Sequence, residues 1–305
     1  MPDSNDNPAI RIGTASWTDA TLIKSGKFYP REAKTAEGRL RYYADRFPIV
    51  EVDSTYYAMP SATNAALWAE RTPEHFIFNV KMFRLFTHHQ TEPKVLPPNV
   101  RALLANEGGN LYYAALTPEV REEMWRQFVL AIEPLRSAGK LGALLFQFPK
   151  WFIVRRSSIE YLHEIRQRLA DYTLAIEFRH ESWFTDRQRA ATLALERELG
   201  FCNVVVDEPQ GLPGSIPSIW EVTSPQLAIL RLHGRNAETW NLKGLKAASD
   251  RFNYDYSEAE LRGFVDPVRR LAQQADQVHV IFNNNLEDQG VRNARSMTQL
   301  LSAAE

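Results

Sequence analysis

Polar and charged side chains recur at the ends of short β-branched runs, and these are the residues whose types could do chemistry. Lys81, Gln147, Arg179, Asp207, His233 and Asn283 each close such a run, as Asp53 does earlier, while Glu51, Glu177 and Arg231 lie two residues before a run's last polar position. Arg235 follows just beyond His233. Lysine and arginine suit a phosphate or carboxylate, since a guanidinium offers a planar fork of donors and an ammonium a compact point charge. Glu177 and Asp207 on adjacent strands would form an acid/base pair if their surroundings separate their pKa values, and His233 is the neutral-pH proton carrier. Gln147 and Asn283 would orient a substrate. Trp183 and Trp240, with Trp17, Tyr56 and Tyr57, follow strand ends and could stack a sugar or base. A divalent metal would need Glu177, Asp207 and His233 to converge, but Lys81, Arg179 and Arg231 fill the same region with positive charge, so no metal or cofactor is expected.

The elements that must position these residues are eight runs, at 10–16, 49–54, 76–81, 142–148, 174–179, 203–207, 227–233 and 278–283. Helical patterns separate most of them. Capping signals mark the helix starts at Thr35, Ser61, Thr117-Pro118, Asp186 and the capping box Ser257 to Glu260, and Gly200 marks a stop. Strands alternating with helices predict parallel βαβ units, and eight such units close a TIM-like (β/α)8 barrel. The alternative, an open doubly wound sheet, would carry a glycine-rich turn after its first strand, where this chain has Ala15-Ser16-Trp17-Thr18. The expected organisation is a flexible tail over 1–9 and one barrel domain over 10–305. Long connections are expected after strands 3 and 7, which would form lids. The connection after strand 6, with Pro209, Pro213, Pro217 and Pro225, should be irregular.

Alternation sorts each run into an outward apolar set and an inward set. The inward sets read Glu51/Asp53, Asn79/Lys81, Ala143/Leu145/Gln147, Ala175/Glu177/Arg179, Asn203/Val205/Asp207, Ile229/Arg231/His233 and His279/Ile281/Asn283. A barrel interior of this polarity needs pairing, water or a ligand. The bland account is an internal ion network of Glu51, Glu177 and Arg231 that fixes register and binds nothing. The functional account is a ligand site on the C-terminal rim, where strand ends converge.

The 305 residues carry 36 Lys plus Arg against 37 Asp plus Glu, so no chain-wide field draws in nucleic acid or acidic membranes. One cysteine, Cys202, excludes an internal disulfide and reads as an outward packing residue. The start MPDSNDNPA has no apolar h-region and no run is long enough to span a membrane, so a cytoplasmic protein is expected. His88-His89-Gln90-Thr91-Glu92 lacks the spacing of a zinc-protease helix, and Ser25-Gly26-Lys27 lacks the first glycine of a phosphate loop.

At the same residues the chain resembles the YecE-like family of TIM barrels. The resemblance spans residues 10 to 301. It rests on Ile12-Gly13-Thr14 with Phe28-Tyr29-Pro30, on Ser54-Thr55-Tyr56-Tyr57, and on Lys81 through Arg84 to Thr87-His88. Leu144 to Pro149, Glu177-Phe178-Arg179-His180 with Ser182-Trp183, Arg231 to Arg235 with Trp240, and Phe282-Asn283-Asn284 with Asn293-Ala294 complete it. The resemblance implies the barrel and assigns no reaction. Asp53 stands where the family tends to have Asn, Asn285 where it has His, and Ala15-Ser16-Trp17 where it is richer in glycine.

The expected function is binding of a phosphorylated or otherwise anionic small molecule at the rim by Lys81, Arg179 and Arg235. Hydrolysis or proton transfer by Glu177, Asp207 and His233 is the expected chemistry. The alternatives are a nucleic-acid-binding protein gripping backbone phosphates at the same rim, with Trp183 or Trp240 stacking a base, and a noncatalytic regulatory barrel.

Overall fold

Strands β1 (Ala9–Ala15), β2 (Ile49–Val52), β3 (Ile77–Lys81), β4 (Leu141–Gln147), β5 (Leu174–Glu177), β6 (Phe201–Asp207), β7 (Ala228–Leu232) and β8 (Gln277–Phe282) pair in parallel, in chain order. β8 returns to β1, so the sheet is a closed barrel. This is the TIM-like fold. A computed structural model of the chain describes residues 9–105, 108–242 and 251–303. The tail expected over 1–9 lies outside the described residues except for Ala9, which opens β1.

Between strands the chain forms amphipathic helices that cover the barrel, the longest at Pro118–Ser137, Glu258–Ala272 and Gln289–Ala303. Their starts follow the capping logic. The hydroxyls of Thr35, Ser61, Thr117 and Ser257 accept from the backbone N–H three residues on, and Ser257 and Glu260 make the full capping box. Asp186 does not cap: that helix spans Arg189–Glu198, with Gln188 at its cap and no side-chain bond. The connection after β6 forms no α-helix. The one after β3 holds short turns at Pro93–Val95, Pro98–Arg101 and Tyr113–Ala115, and the one after β7 holds Ala237–Trp240.

Several strands end before the polar residue that closes each run. β2 stops at Val52, β5 at Glu177, β7 at Leu232 and β8 at Phe282. Asp53, Arg179, His233 and Asn283 therefore stand in the first turns of the C-terminal loops, where the ladder no longer dictates their backbone.

One strand inverts the sequence reading. Paired residues of parallel strands share a face, and β6 pairs Asn203 with Ile176 on one side and Val206 with Arg231 on the other. Val204 and Val206 therefore point inward, while Asn203, Val205 and Asp207 point outward. Cys202, paired with Ala175, shares the inner face rather than the outer one. The Val204-Val205-Val206 run has no alternation, so only Asn203 and Asp207 mark a parity in the sequence, and the ladder gives the opposite one. Asn203 confirms the outward direction by donating to the Ile219 carbonyl at 3.0 Å in the connection outside the barrel.

Inside, Ala15, Ile49 and Ile281 form a small apolar layer with Ile77. Beside it Asn79 Oδ1 accepts from the Ala143 N–H at 2.9 Å and lies 3.2 Å from His279 Nδ1. Gly142 makes room for that amide, because a Cβ there would meet Asn79 Oδ1 at 2.5 Å. Above this layer the interior is ionic.

Candidate functional site

Arg231, fully buried, spans the barrel floor. Its Nη2 meets Glu51 Oε1 at 2.6 Å, and its Nη1 pairs with Glu177 Oε2. Glu177 is shared further, with Arg179 Nη1 at 3.0 Å and His233 Nε2 at 3.3 Å, both on Oε1. Arg179 also reaches Glu208 Oε2 at 2.7 Å, and Glu208 Oε1 accepts from the Ile216 N–H at 2.8 Å. One guanidinium cannot fully compensate two buried carboxylates. Burial pushes both up, and the surroundings win only at Glu177, which the charges of Arg231 and Arg179 and a hydrogen bond from His233 hold well below the usual carboxylate range. Glu51 stays above it despite Arg231, and so does Glu208 despite Arg179.

His233 sits within this network. Burial pushes its pKa down to about 3, against the pull of Glu177, so the ring is neutral. A neutral ring beside an ionised Glu177 places its proton on Nε2, and Nδ1 then accepts from Asn283 Nδ2 at 2.8 Å. Asn283 is thereby oriented from behind by His233.

The floor opens into a cavity of about 500 Å³ at the C-terminal ends of the strands. Asp53, Lys81, Gln147, Arg179, Trp240 and Asn283 line it, as do Tyr56 and Tyr57. Lys81 Nζ binds Asp53 Oδ1 at 2.7 Å and lies 4.6 Å above the Tyr56 ring. Burial pushes Asp53 up, but Lys81 overcomes it and holds the carboxyl below its ordinary value. Lys81 stays charged: burial disfavours its ammonium, and Asp53 and Glu51 more than restore it. Trp240 is flanked by Arg179 Cζ at 5.4 Å and Lys150 Nζ at 5.8 Å from its ring centre.

Among the lining groups that the sequence does not single out are His89, Lys150, Trp151 and Arg251. All lie on loops rather than at strand ends, where no alternation could mark them. Lys150 and Arg251 have no carboxylate at ion-pair distance among the described residues. Burial, then Arg179, lowers the Lys150 pKa. Glu208 was missed for a different reason: it follows the inverted β6, and its inward place had been given to Asp207.

Asp207, Arg235 and Trp183 do not line the cavity. Asp207 points outward and accepts three contacts from Arg235 at 2.8 to 3.1 Å, with Tyr256 Oη donating to it at 2.6 Å. Gly234, at φ +86, allows the turn that delivers Arg235 there, and its N–H donates to Tyr256 Oη at 2.9 Å. Trp183 is fully buried, stacked on Phe178 at 3.9 Å, and donates to the Phe152 carbonyl at 2.7 Å. Trp17 is likewise buried, against Trp68 and Phe78. Of the expected catalytic trio, Glu177 and His233 come together beneath the rim and Asp207 stands apart. Among the described residues no cluster of three His, Cys, Asp or Glu side chains could hold a metal ion.

The profile of the family described as "Protein of unknown function DUF72" matches residues 11–305. The chain belongs to the DUF72 family. It is 32% identical over 295 residues to the UPF0759 protein YunF of Bacillus subtilis (strain 168), covering 96% of this chain and 94% of that one. Among solved structures it is similar to a DUF72 family protein from Enterococcus faecalis V583, with a TM-score of 0.77, 30% identity and coverage of 96% and 95%. A DUF72 family protein from Thermotoga maritima MSB8 matches with a TM-score of 0.76, 31% identity and coverage of 96% and 99%.

In this DUF72 chain Ser16 adopts a left-handed φ of 70°, a conformation natural to glycine and strained for serine. Its hydroxyl accepts from the Thr18 N–H at 3.0 Å, and its own N–H donates to Glu51 O at 2.8 Å, which hold the turn. Asn285 lies in the cavity wall, its Oδ1 buried without a partner. No described helix of this DUF72 chain is long and apolar enough to cross a membrane.

Proposed function

We propose that the rim cavity binds a small organic anion, held by Lys150, Arg251 and the cavity faces of Arg179 and Lys81, with aromatic walls for its uncharged part. The observation that carries this reading is the cation balance at the opening. Lys81, Lys150, Arg179 and Arg251 line the cavity, Asp53 is the lining carboxylate among the described residues, and Lys150 and Arg251 have no carboxylate partner there. Cations facing an opening without a partner are suited to a ligand's charge. Gln147 and the Asn283 amide, fixed by His233, would orient the ligand.

Proton transfer or hydrolysis by Glu177, Asp207 and His233 draws no support from the cavity, which none of the three lines. Glu177 is committed to Arg231, Arg179 and His233, so its part is to set the field and the Asn283 orientation rather than to meet the ligand. Asp207 and Arg235 hold the loop after β7. The signatures that resemble the YecE-like family fall within the stretch matched by the DUF72 profile, and we read the narrower grouping as applying to this chain.

The test is a thermal-shift and calorimetric panel of inorganic phosphate, sugar phosphates, nucleotides and short oligonucleotides at ~50 and ~200 mM salt, on the wild type and on Lys150→Ala. A ligand at ~100 times its dissociation constant adds about 2.7 kcal/mol of stability. The expected result is a selective small-anion hit, weakened about tenfold in Lys150→Ala. An oligonucleotide hit whose affinity collapses by orders of magnitude between the two salts would replace this reading with backbone-phosphate binding. No binding across the panel would leave the regulatory barrel.

A further inference from the structure

His89 belongs to the segment His88 to Glu92, which lacks the histidine spacing of a zinc-protease helix. It lines the cavity, with Tyr56 at 5.2 Å and Trp151 at 5.5 Å between ring centres, both edge-on. The backbone before it is bent. His88 holds a left-handed φ of 62°, unusual for a residue with a Cβ, and is kept there by its N–H to Leu85 O at 3.2 Å and by Trp151 Nε1 donating to its carbonyl at 3.2 Å. The His88 ring turns inward against Tyr161, while His89 turns to the cavity.

Two contacts of Thr87 bear on the tautomer of His89. Thr87 Oγ1 donates to the Arg84 carbonyl at 3.1 Å and lies 2.9 Å from His89 Nδ1. A hydroxyl has one proton. When that proton is on Arg84, whose carbonyl also accepts from the His89 N–H at 3.0 Å, Thr87 accepts from the imidazole, the ring proton is on Nδ1 and Nε2 carries a lone pair. Burial and the charges of Lys81 and Arg84 push the ring down to about 4, against a backbone bond at Arg84, so it stays neutral at pH 7.

We propose that His89 Nε2 is the ligand-facing acceptor of the cavity, taking a hydrogen bond from a hydroxyl of a hydroxylated organic phosphate whose anionic group lies on Lys150 and Arg251. The class follows from what surrounds the ring. Nε2 accepts and does not donate, so it selects an O–H; the cations select the anion; and Tyr56 and Trp151 beside it offer aromatic surface to the C–H face of a sugar. The contrast with His233 is one of tautomer. His233 carries its proton on Nε2 and presents nothing to the cavity, whereas His89 carries it on Nδ1 and presents a lone pair.

This deepens the anion-binding reading and rests on it, but the tautomer does not. Long-range 1H–15N spectra of the 15N-labelled protein at pH 7, with His89→Phe assigning the ring, should show Nδ1 protonated and Nε2 bare. Thr87→Val should abolish that preference. Glucose 6-phosphate should shift Nε2, and the ratio of its affinity to that of inorganic phosphate should fall about tenfold in His89→Phe. A proton on Nε2 in the free wild type overturns the proposal even if anions bind. So does a bare Nε2 with an affinity ratio unmoved in His89→Phe. If no anion binds the wild type at all, the pocket reading itself has failed and the acceptor role falls with it.

Discussion

The floor and the rim of this barrel use the same residue types to opposite ends. On the floor, Arg231 is fully buried and its charge is matched by Glu51 and Glu177; only its Nε–H is left without a partner. At the C-terminal opening Lys150 and Arg251 line the cavity with no carboxylate partner among the described residues. A charge with partners on every side makes one arrangement of strands cheaper than the rest. A charge at an opening leaves its valence for something that is not part of the chain. Arg179 joins the two regions, bound to Glu177 and Glu208 below while its face lines the cavity above. Arg231→Ala breaks the comparison most severely. It strands the buried Glu51 and takes from Glu177 one of its two guanidinium partners, so it should cost about 3–5 kcal/mol in urea unfolding. A loss under about 1 kcal/mol would mean that the floor is wet and the ion network does not hold the barrel.

The histidines give the next largest effect, and its sign follows from linkage. His233 and His279 are fully buried, each with a pKa pushed down to about 3 by desolvation. Their unfolded value is about 6.5. Below that the unfolded chain takes up protons that the native protein refuses, so stability is complete above pH 6.5 and drains as pH falls toward 3. Each ring contributes a slope of up to about 1.4 kcal/mol per pH unit, and the pair up to about 2.7. Glu177, whose folded pKa is depressed, adds its own loss only below about 4.5. Urea midpoints at pH 7.5, 6.5, 5.5 and 5.0 separate the two. A curve flat down to pH 5 would show that His233 is protonated in the native state and would undo the tautomer that orients Asn283.

The barrel is legible in the sequence because most of its strands alternate. Their outward sides are apolar and their inward sides carry Glu51, Asn79, Glu177 and Arg231, which a period of two sorts without ambiguity. β6 failed because three consecutive valines satisfy either parity, so Asp207 was drawn inward by the company of its neighbours. The correction moved Glu208 into the interior and placed Asp207 with Arg235 and Tyr256 in the packing of the β7 loop. The floor could be read as a network, since its members sit on strands. The rim could be read only in part. Lys81, Gln147, Arg179 and Asn283 stand at or just past strand ends, but His89, Lys150 and Arg251 reach the cavity through loops whose course depends on tertiary contacts. Trp183 was misread for a related reason: an aromatic after a strand end can face the rim or fold under it, and only the stacking of Phe152 and Phe178 decides.

The smallest expected effect sharpens the comparison from the other side. If Lys150 is held for a ligand and not for the fold, Lys150→Ala should leave the stability of the free protein within about 0.5 kcal/mol of the wild type. Removing its charge relieves repulsion with Arg179 and Arg251, both of which act to depress its pKa, and forfeits an attraction to Glu208. It also gives up a contact with Trp240 at 5.8 Å, a distance at which a partly exposed cation contributes little. These terms oppose one another and each is small. A melting temperature unchanged within a degree or two, in the variant that loses anion affinity, would separate the rim from the floor by function. A drop of several degrees would instead make Lys150 a structural cation like Arg231, and the cavity's charge would then belong to the fold.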